Sequence, residues 1–216
     1  MRCAILADIH ANLSAFEAVL RDIEGRQGVQ EIWCLGDIVG YGPDPHDCIE
    51  LLRQTNHVCV AGNHDLAAVG QIDTAEFNPD AVAATEWTTE QLNSRDVSYI
   101  KSLPRVIKKD DFPLVHGSPR EPIWEYVLSI SGARENFAHF STKFCLLAHT
   151  HVPAAFSYDE GGACTFRQFI PEKELVPEKA RLIINPGAVG QPRDGDPRAS
   201  YAIYDSDKKL LHHFSL

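Results

Sequence analysis

Residues 144–153 read FCLLAHTHVP. Five apolar residues end at two histidines separated by one residue. In an extended chain, residues i and i+2 point to the same face. His149 and His151 therefore aim at one place, just past the end of a buried strand. The same grammar recurs along the chain. AILA precedes Asp8-Ile9-His10, EIWCL precedes Gly36-Asp37, and HVCVA precedes Gly62-Asn63-His64-Asp65. FPLV precedes His116-Gly117, and RLII precedes Asn185-Pro186-Gly187. Apolar runs with no polar alternation predict strands covered on both faces.

Helical patterns lie between several of these runs. In 13–24, LSAFEAVLRDIE, the residues Leu13, Phe16, Leu20 and Ile23 form one stripe, and Ser14 with Glu17 fits a capping box. Asn78-Pro79 predicts a second helix start, with proline at the first position. From about 153 onward the pattern turns to β: AAFSY, ACTFRQF, SYAIYD and KLLHHF. Residues 171–179, PEKELVPEK, read as a charged surface loop. No repeat or linker divides the chain, so 1–216 is expected to be one domain. The first half alternates β and α, and the second adds antiparallel strands.

Composition narrows the function. Among 216 residues, 44% are hydrophobic and 23% charged, an ordinary globular balance. The net charge of −10 disfavours broad binding to nucleic-acid backbones or anionic membranes. No apolar stretch is long enough to span a bilayer, and MRCAILADIH lacks the apolar core of a signal peptide. A cytoplasmic location is expected. Of the six cysteines, Cys3, Cys34, Cys59 and Cys145 sit in apolar runs and none forms a C-x-x-C pair, so reduced thiols are expected.

Ligands of open α/β sheets bind outside the carboxyl ends of the strands. Gathered there are Asp8, His10, Asp37, Asn63, His116, His149 and His151, with His64 and Asp65 beside them. Any single Asp or Asn after a strand is more often a cap or turn residue. Independent caps, however, would not favour histidine at strand after strand. The convergence points to a metal site. His46, His57, His139, His212 and His213 fall outside the pattern and read as surface or core histidines.

Asp8-x-His10, Gly36-Asp37-x-x-Gly40, Gly62-Asn63-His64-Asp65, His116 and His149-x-His151 together resemble the five blocks of the calcineurin-like metallophosphoesterase superfamily. The tail NPGAVGQPRDGDPRASYAIYD is similar to its small single-domain bacterial members. One departure is Ala148, where the family's last block begins with glycine. The resemblance implies a four-layer αββα sandwich with two mixed β-sheets. It also implies two adjacent divalent transition-metal ions, one held by Asp8, His10 and His151, the other by Asn63, His116 and His149, with Asp37 bridging. Imidazole with carboxylate suits Mn, Fe, Zn, Co or Ni better than Mg or Ca, and Mn is favoured. Two divalent ions outweigh the two carboxylates, so an acidic protein keeps a phosphate-seeking spot. Ions roughly 3.5–4 Å apart activate a bridging hydroxide for in-line attack.

His64, next to Asn63, is the expected general acid. Asp65 either orients it or caps the helix that follows. Asn12 reads as a cap. Gly36, Gly40 and Gly42 would let backbone approach the metals. Arg193 is the expected phosphate contact, with Arg198 second, against ion pairing with Asp194 or Asp196. The implied function is a phosphoesterase acting on a small phosphate ester, a phosphodiesterase before a phosphomonoesterase. The alternative is a scaffold or interaction module on the same fold, as in the family's retromer subunit, which lacks the catalytic histidine; His64 favours the enzyme. Whether residues 66–103 cover part of the site is left open, as is a homodimer.

Overall fold

A computed structural model describes residues 1–109, 112–167, 169, 174–175 and 179–216. Its first strand, β1 (Arg2–Leu6), shows why the apolar runs do not alternate with polar residues. Cys3 and Ile5 face one buried layer while Ala4 and Leu6 face another. A strand with both faces buried has no solvent side to mark the period.

β1 lies inside a six-stranded mixed sheet. Parallel neighbours are β2 (Val29–Cys34) and, beyond it, β3 (His57–Cys59). On the other side run β11 (Ser200–Asp205), β12 (Leu210–Ser215) and the short β9 (Glu174–Leu175), all antiparallel to their neighbours. The second sheet has the order β4 (Val106–Lys109), β5 (Phe112–Val115), β6 (Phe144–Leu146), β10 (Arg181–Asn185), β7 (Ala154–Tyr158) and β8 (Cys164–Arg167). Its middle strands β5, β6 and β10 are parallel, and its edges are antiparallel.

Between the sheets, Ile5, Trp33, Leu35, Leu114, Leu146 and Ile184 form the central layer. Phe112 stacks on Phe144 at 4.5 Å, and Trp33 meets Phe112 edge-on at 5.2 Å. Full burial of each such side chain stabilises by about 1.5–3 kcal/mol. Outside the first sheet pack α1 (Leu13–Gly25), α2 (Pro45–Arg53) and α5 (Ser94–Ser102), through Phe16, Val19, Ile49, Leu52 and Ile100. Outside the second sheet packs α6 (Ile130–Asn136), through Ala133, against Cys145, Leu147 and Ile183. The expected four-layer αββα order is the one observed.

Two local expectations need correction. The Ser14–Glu17 capping box is not the start of α1. Asn12 lies one residue before Leu13, accepts the Ala15 N–H at 3.2 Å, and places Ser14 inside the first turn. The buried face of α1 is Phe16, Val19 and Ile23, with Leu13 and Leu20 only partly covered. Asn78 caps α4 (Pro79–Gln91) as expected. Of the loop expected at 171–179, Glu174–Leu175 pairs with β12; residues 171–173 and 176–178 lie outside the described residues.

Because β1–β3 are mutually parallel, their carboxyl ends share one edge of the first sheet; β5, β6 and β10 do the same in the second. Val189 N–H donates to Ala7 O and Gly190 N–H to Asp8 O, which ties the segment after β10 to the end of β1. A Cβ on Gly190 would lie 1.8 Å from the Ile9 carbonyl oxygen, so only glycine permits that crossing.

Candidate metal centre

Five strand ends deliver the polar residues to one buried point. Asp8 and His10 follow β1, Asp37 follows β2, His116 follows β5, and His149 and His151 follow β6. Asn63 and His64 open α3 (Asn63–Ala68), just after β3. Asp8, His10, Asp37, His149 and His151 all hold φ between 49° and 67°, the left-handed region that non-glycine residues seldom adopt. That geometry turns each side chain off its strand axis and into the space between the sheet ends.

The donor atoms fall into two groups that share Asp37. In the first, His10 Nε2 lies 3.2 Å from His151 Nε2 and 3.6 Å from Asp37 Oδ2, and His151 Nε2 lies 3.7 Å from Asp8 Oδ1. In the second, His116 Nε2 lies 3.0 Å from Asn63 Oδ1, 3.0 Å from His149 Nδ1 and 3.3 Å from Asp37 Oδ2. The outer nitrogens fix the tautomers. A carbonyl only accepts, so His10 Nδ1–H donates to Val39 O, His116 Nδ1–H to Leu35 O and His151 Nδ1–H to Gln191 O. The inner nitrogens of the neutral rings therefore carry lone pairs, and those of His10 and His151 face one another. Second ring nitrogens donating to carbonyls orient imidazoles as metal ligands.

The carboxylates make the same point. Both oxygens of Asp8 and Oδ2 of Asp37 are buried and have no hydrogen-bond partner. Asp37 Oδ1 accepts the His64 backbone N–H at 2.9 Å, which aims Oδ2 at the junction of the two donor groups. Unpaired buried carboxylate oxygens cost several kcal/mol, and a cation among them removes that cost. Neutral imidazoles, one amide oxygen and two carboxylates fit divalent transition metals.

Titration follows from burial and crowding. Burial pushes Asp8 up to about 8, against the opposing pull of His116. Burial also opposes ionisation of Asp37, but the imidazoles of His116 and His64 outweigh it and hold that carboxyl well below the usual range. Burial drives His149 down to about 2, His151 to about 3 and His10 well below the ordinary value. His116 is the exception: Asp37 overcomes burial and lifts it to about 9. Asp37 thus makes the nearest imidazole the one site in the cluster that attracts rather than repels positive charge.

Asp65 does not touch the His64 ring. Its carboxylate accepts the backbone N–H groups of Asp37 (2.8 Å), Ile38 (2.9 Å), Val39 (3.2 Å) and Gly62 (3.0 Å). The expectation that it orients His64 gives way to a cap of wider reach, which clips the loop after β2 to the start of α3. The correction has a plain cause: both oxygens are taken by main chain. The glycines also act differently from expectation. Gly40, at φ 93°, makes room for the His64 ring, whose Nδ1 would be 2.7 Å from an added Cβ; Gly42 packs against the carbonyls of His10 and Ala11.

His64 is 5% exposed, and its Nδ1 has no partner. Phe77 stacks on it at 4.6 Å, Tyr41 leans at 4.6 Å, and His10 meets it edge-on at 4.9 Å. Burial lowers its pKa. It lines a cavity of about 690 Å³ together with Asp37, His149, His151, Tyr126 and Arg193. Glu76, Phe77 and Asn78 form one wall, so part of the 66–103 segment does cover the site. Arg193 is exposed at the mouth, 5.9 Å from the Tyr41 ring, with its Nη2–H on Gln191 Oε1; among the described residues it makes no ion pair. Arg198 instead pairs with Asp196, away from this cavity. Reading the sequence missed the aromatic side chains Tyr41, Phe77, Trp124 and Tyr126. The available signal was PIWEY, two aromatics one residue apart between two histidine-bearing strand ends.

The chain matches, over residues 1–209, the family model described as the calcineurin-like phosphoesterase superfamily domain. It is 46% identical to a metallophosphoesterase from Sphaerobacter thermophilus of known structure, at a TM-score of 0.88, covering 100% of this chain and 88% of that one. An uncharacterized protein of Methanocaldococcus jannaschii is 38% identical across 94% of this chain and 82% of its own. A symmetrical bis(5'-nucleosyl)-tetraphosphatase of Actinobacillus pleuropneumoniae is 25% identical over 62% of this chain, which spans 51% of that relative's length.

Proposed function

The chain belongs to the calcineurin-like phosphoesterase superfamily, and on that premise we propose that it is a metal-dependent phosphoric ester hydrolase, a phosphodiesterase before a phosphomonoesterase. The observation that supports this most is the set of orphaned oxygens on Asp8 and Asp37 inside a ring of imidazole nitrogens. Asp8, His10, His151 and Asp37 would hold one ion; Asp37, Asn63, His116 and His149 would hold the other, with Mn the favoured metal. When bound, the ions supply an activated water and neutralise phosphate charge.

The side chains do the rest. Arg193, which makes no ion pair among the described residues, grips a non-bridging phosphate oxygen. His64, held by its own backbone bond to Asp37, faces the departing oxygen and gives it a proton from the imidazolium. The negative charge of an arriving phosphate raises the pKa that burial lowers, so protonation and substrate binding reinforce each other. Asp65 keeps the Asp37 loop and His64 in register. Phe77 and Tyr41 shield the imidazole from bulk water. The tetraphosphatase relatives make nucleotide-type phosphate esters the substrates to try first.

The test is hydrolysis of paired mono- and diester substrates by purified protein with Mn, read alongside metal content. Two ions per chain with diester turnover is the expected result. Two ions with no turnover of either ester would favour the scaffold reading.

A further inference from the structure

Phosphate gains nothing from an aromatic wall, yet this cavity has one. Tyr126 lies flat on the His149 ring, 3.9 Å away with a 20° tilt, and remains 50% exposed. Leu128 of the same loop and Ile130 at the start of α6 are also exposed to solvent. Trp124, two residues earlier, meets Phe77 edge-on at 5.4 Å, and Phe77 in turn stacks on His64. Three rings from two distant segments therefore frame the mouth of the metal cavity. His149 is oriented toward His116 through its Nδ1 on one side, and Tyr126 covers its ring face while keeping half of its own surface exposed.

We propose that Tyr126 is a stacking platform for the base of a nucleoside phosphate ester, with Trp124 and Phe77 bounding the base site. The inference rests on the hydrolase reading above and names its substrate class. The placement suits it. One face of Tyr126 is taken by His149, whose Nδ1 lies among the donors of the second group. Tyr126 lines the same cavity as Asp37, Asn63 and His64, so a base on its ring and a phosphate at the donors share one space. Arg193, which faces the phenols of both Tyr41 and Tyr126, would then reach the phosphate from the same side. Stacking of this kind tolerates any base, because every base has a π-face.

The experiment compares the methyl diester of a nucleoside 5'-phosphate with the methyl diester of ribose 5-phosphate. The scissile bond and leaving group are identical, and only the base differs. The wild type should prefer the base-bearing diester through a lower KM. Tyr126→Ala should reduce the preference roughly ten-fold, and Tyr126→Phe should restore it. An equal kcat/KM for the two diesters in the wild type overturns the proposal. So does a loss in Tyr126→Ala that is equal for both diesters and accompanied by loss of metal, since the ring would then only seat His149. If neither diester is hydrolysed with two ions bound, the hydrolase reading fails separately. Calorimetric binding of a nucleoside monophosphate against ribose 5-phosphate then decides the platform: tighter nucleotide binding supports it, equal binding refutes it.

Discussion

The layer between the sheets and the edge where the sheets end are built on opposite terms. Between the sheets, Ile5, Leu146, Leu182 and Ile184 meet in ordinary strand geometry and leave no polar atom to account for. At the edge, the chain departs from low-energy backbone repeatedly. Of nine described non-glycine residues with positive φ, seven lie there: Asp8, His10, Ala11, Asp37, Tyr41, His149 and His151. The orphaned polar atoms cluster there too, on Asp8, Asp37, His64 and His149. Strained backbone costs of order 1–3 kcal/mol per residue and persists only where its surroundings over-determine it. Asp65 is one such determinant, fixing four main-chain N–H groups with one carboxylate. The lesson is a division of labour: the sandwich supplies the free energy, and the strand ends crowd buried donors into an arrangement that a cation would relieve.

Substitutions at the edge should therefore remove function, and substitutions in the layer should remove stability. The largest effect belongs to Asp37→Asn. An amide offers no anionic oxygen to two ions, so activity should vanish and both metals loosen; elemental analysis finding two tightly held ions in the variant would contradict the bridging role. His64→Ala should keep both metals and lose roughly 10²–10⁴-fold in rate. The loss should shrink for nitrophenyl esters, whose leaving groups need little protonation. Equal losses for good and poor leaving groups would leave His64 an electrostatic role only.

Arg193→Ala comes next. A charge-assisted contact contributes about 1.5–3 kcal/mol, so KM and inhibition by free phosphate should weaken by roughly one to two powers of ten, with metal content unchanged. Lysine should recover only part of this, having no two-pronged contact. Arg198→Ala is the matched control, and its kinetics should stay at wild type. Leu182→Ala tests the other side of the comparison. It should lower unfolding stability in urea by about 2–5 kcal/mol while leaving kcat at wild type below the melting range. A loss of metal in that variant would mean that layer and edge are not separable.

Much of this was legible because strand ends announce themselves. AILA, FPLV, FCLL and RLII stop at Asp or His or Asn, and the elements stand where those stops put them. What stayed hidden depends on distance in sequence. Nothing in Asn63-His64-Asp65 says that the acceptors of Asp65 serve a loop some 26 residues upstream. Left-handed φ at Asp8 or His149 leaves no mark, because aspartate and histidine, unlike glycine, are chosen there for their side chains. The aromatic mouth was missed because Phe77 and the Trp124–Tyr126 pair lie on segments far apart in sequence, which only the fold brings together. The Ser14 cap fell two residues late because Asn12, Ser14 and Glu17 all suit a helix start; Asn12, also read as a cap, takes the role by accepting the Ala15 N–H while its amide donates to Gly190 O.

The central claim is that the orphaned donors form two metal positions sharing Asp37. Calorimetric titration of metal-stripped protein with Mn tests it most directly. The account predicts two ions bound per chain, a rise in melting temperature, and release of protons from the two ligands whose pKa values are raised, Asp8 and His116, which would make the binding enthalpy depend on the buffer. Binding of no ion, or a single ion whose affinity is unchanged by Asp37→Asn, would contradict it.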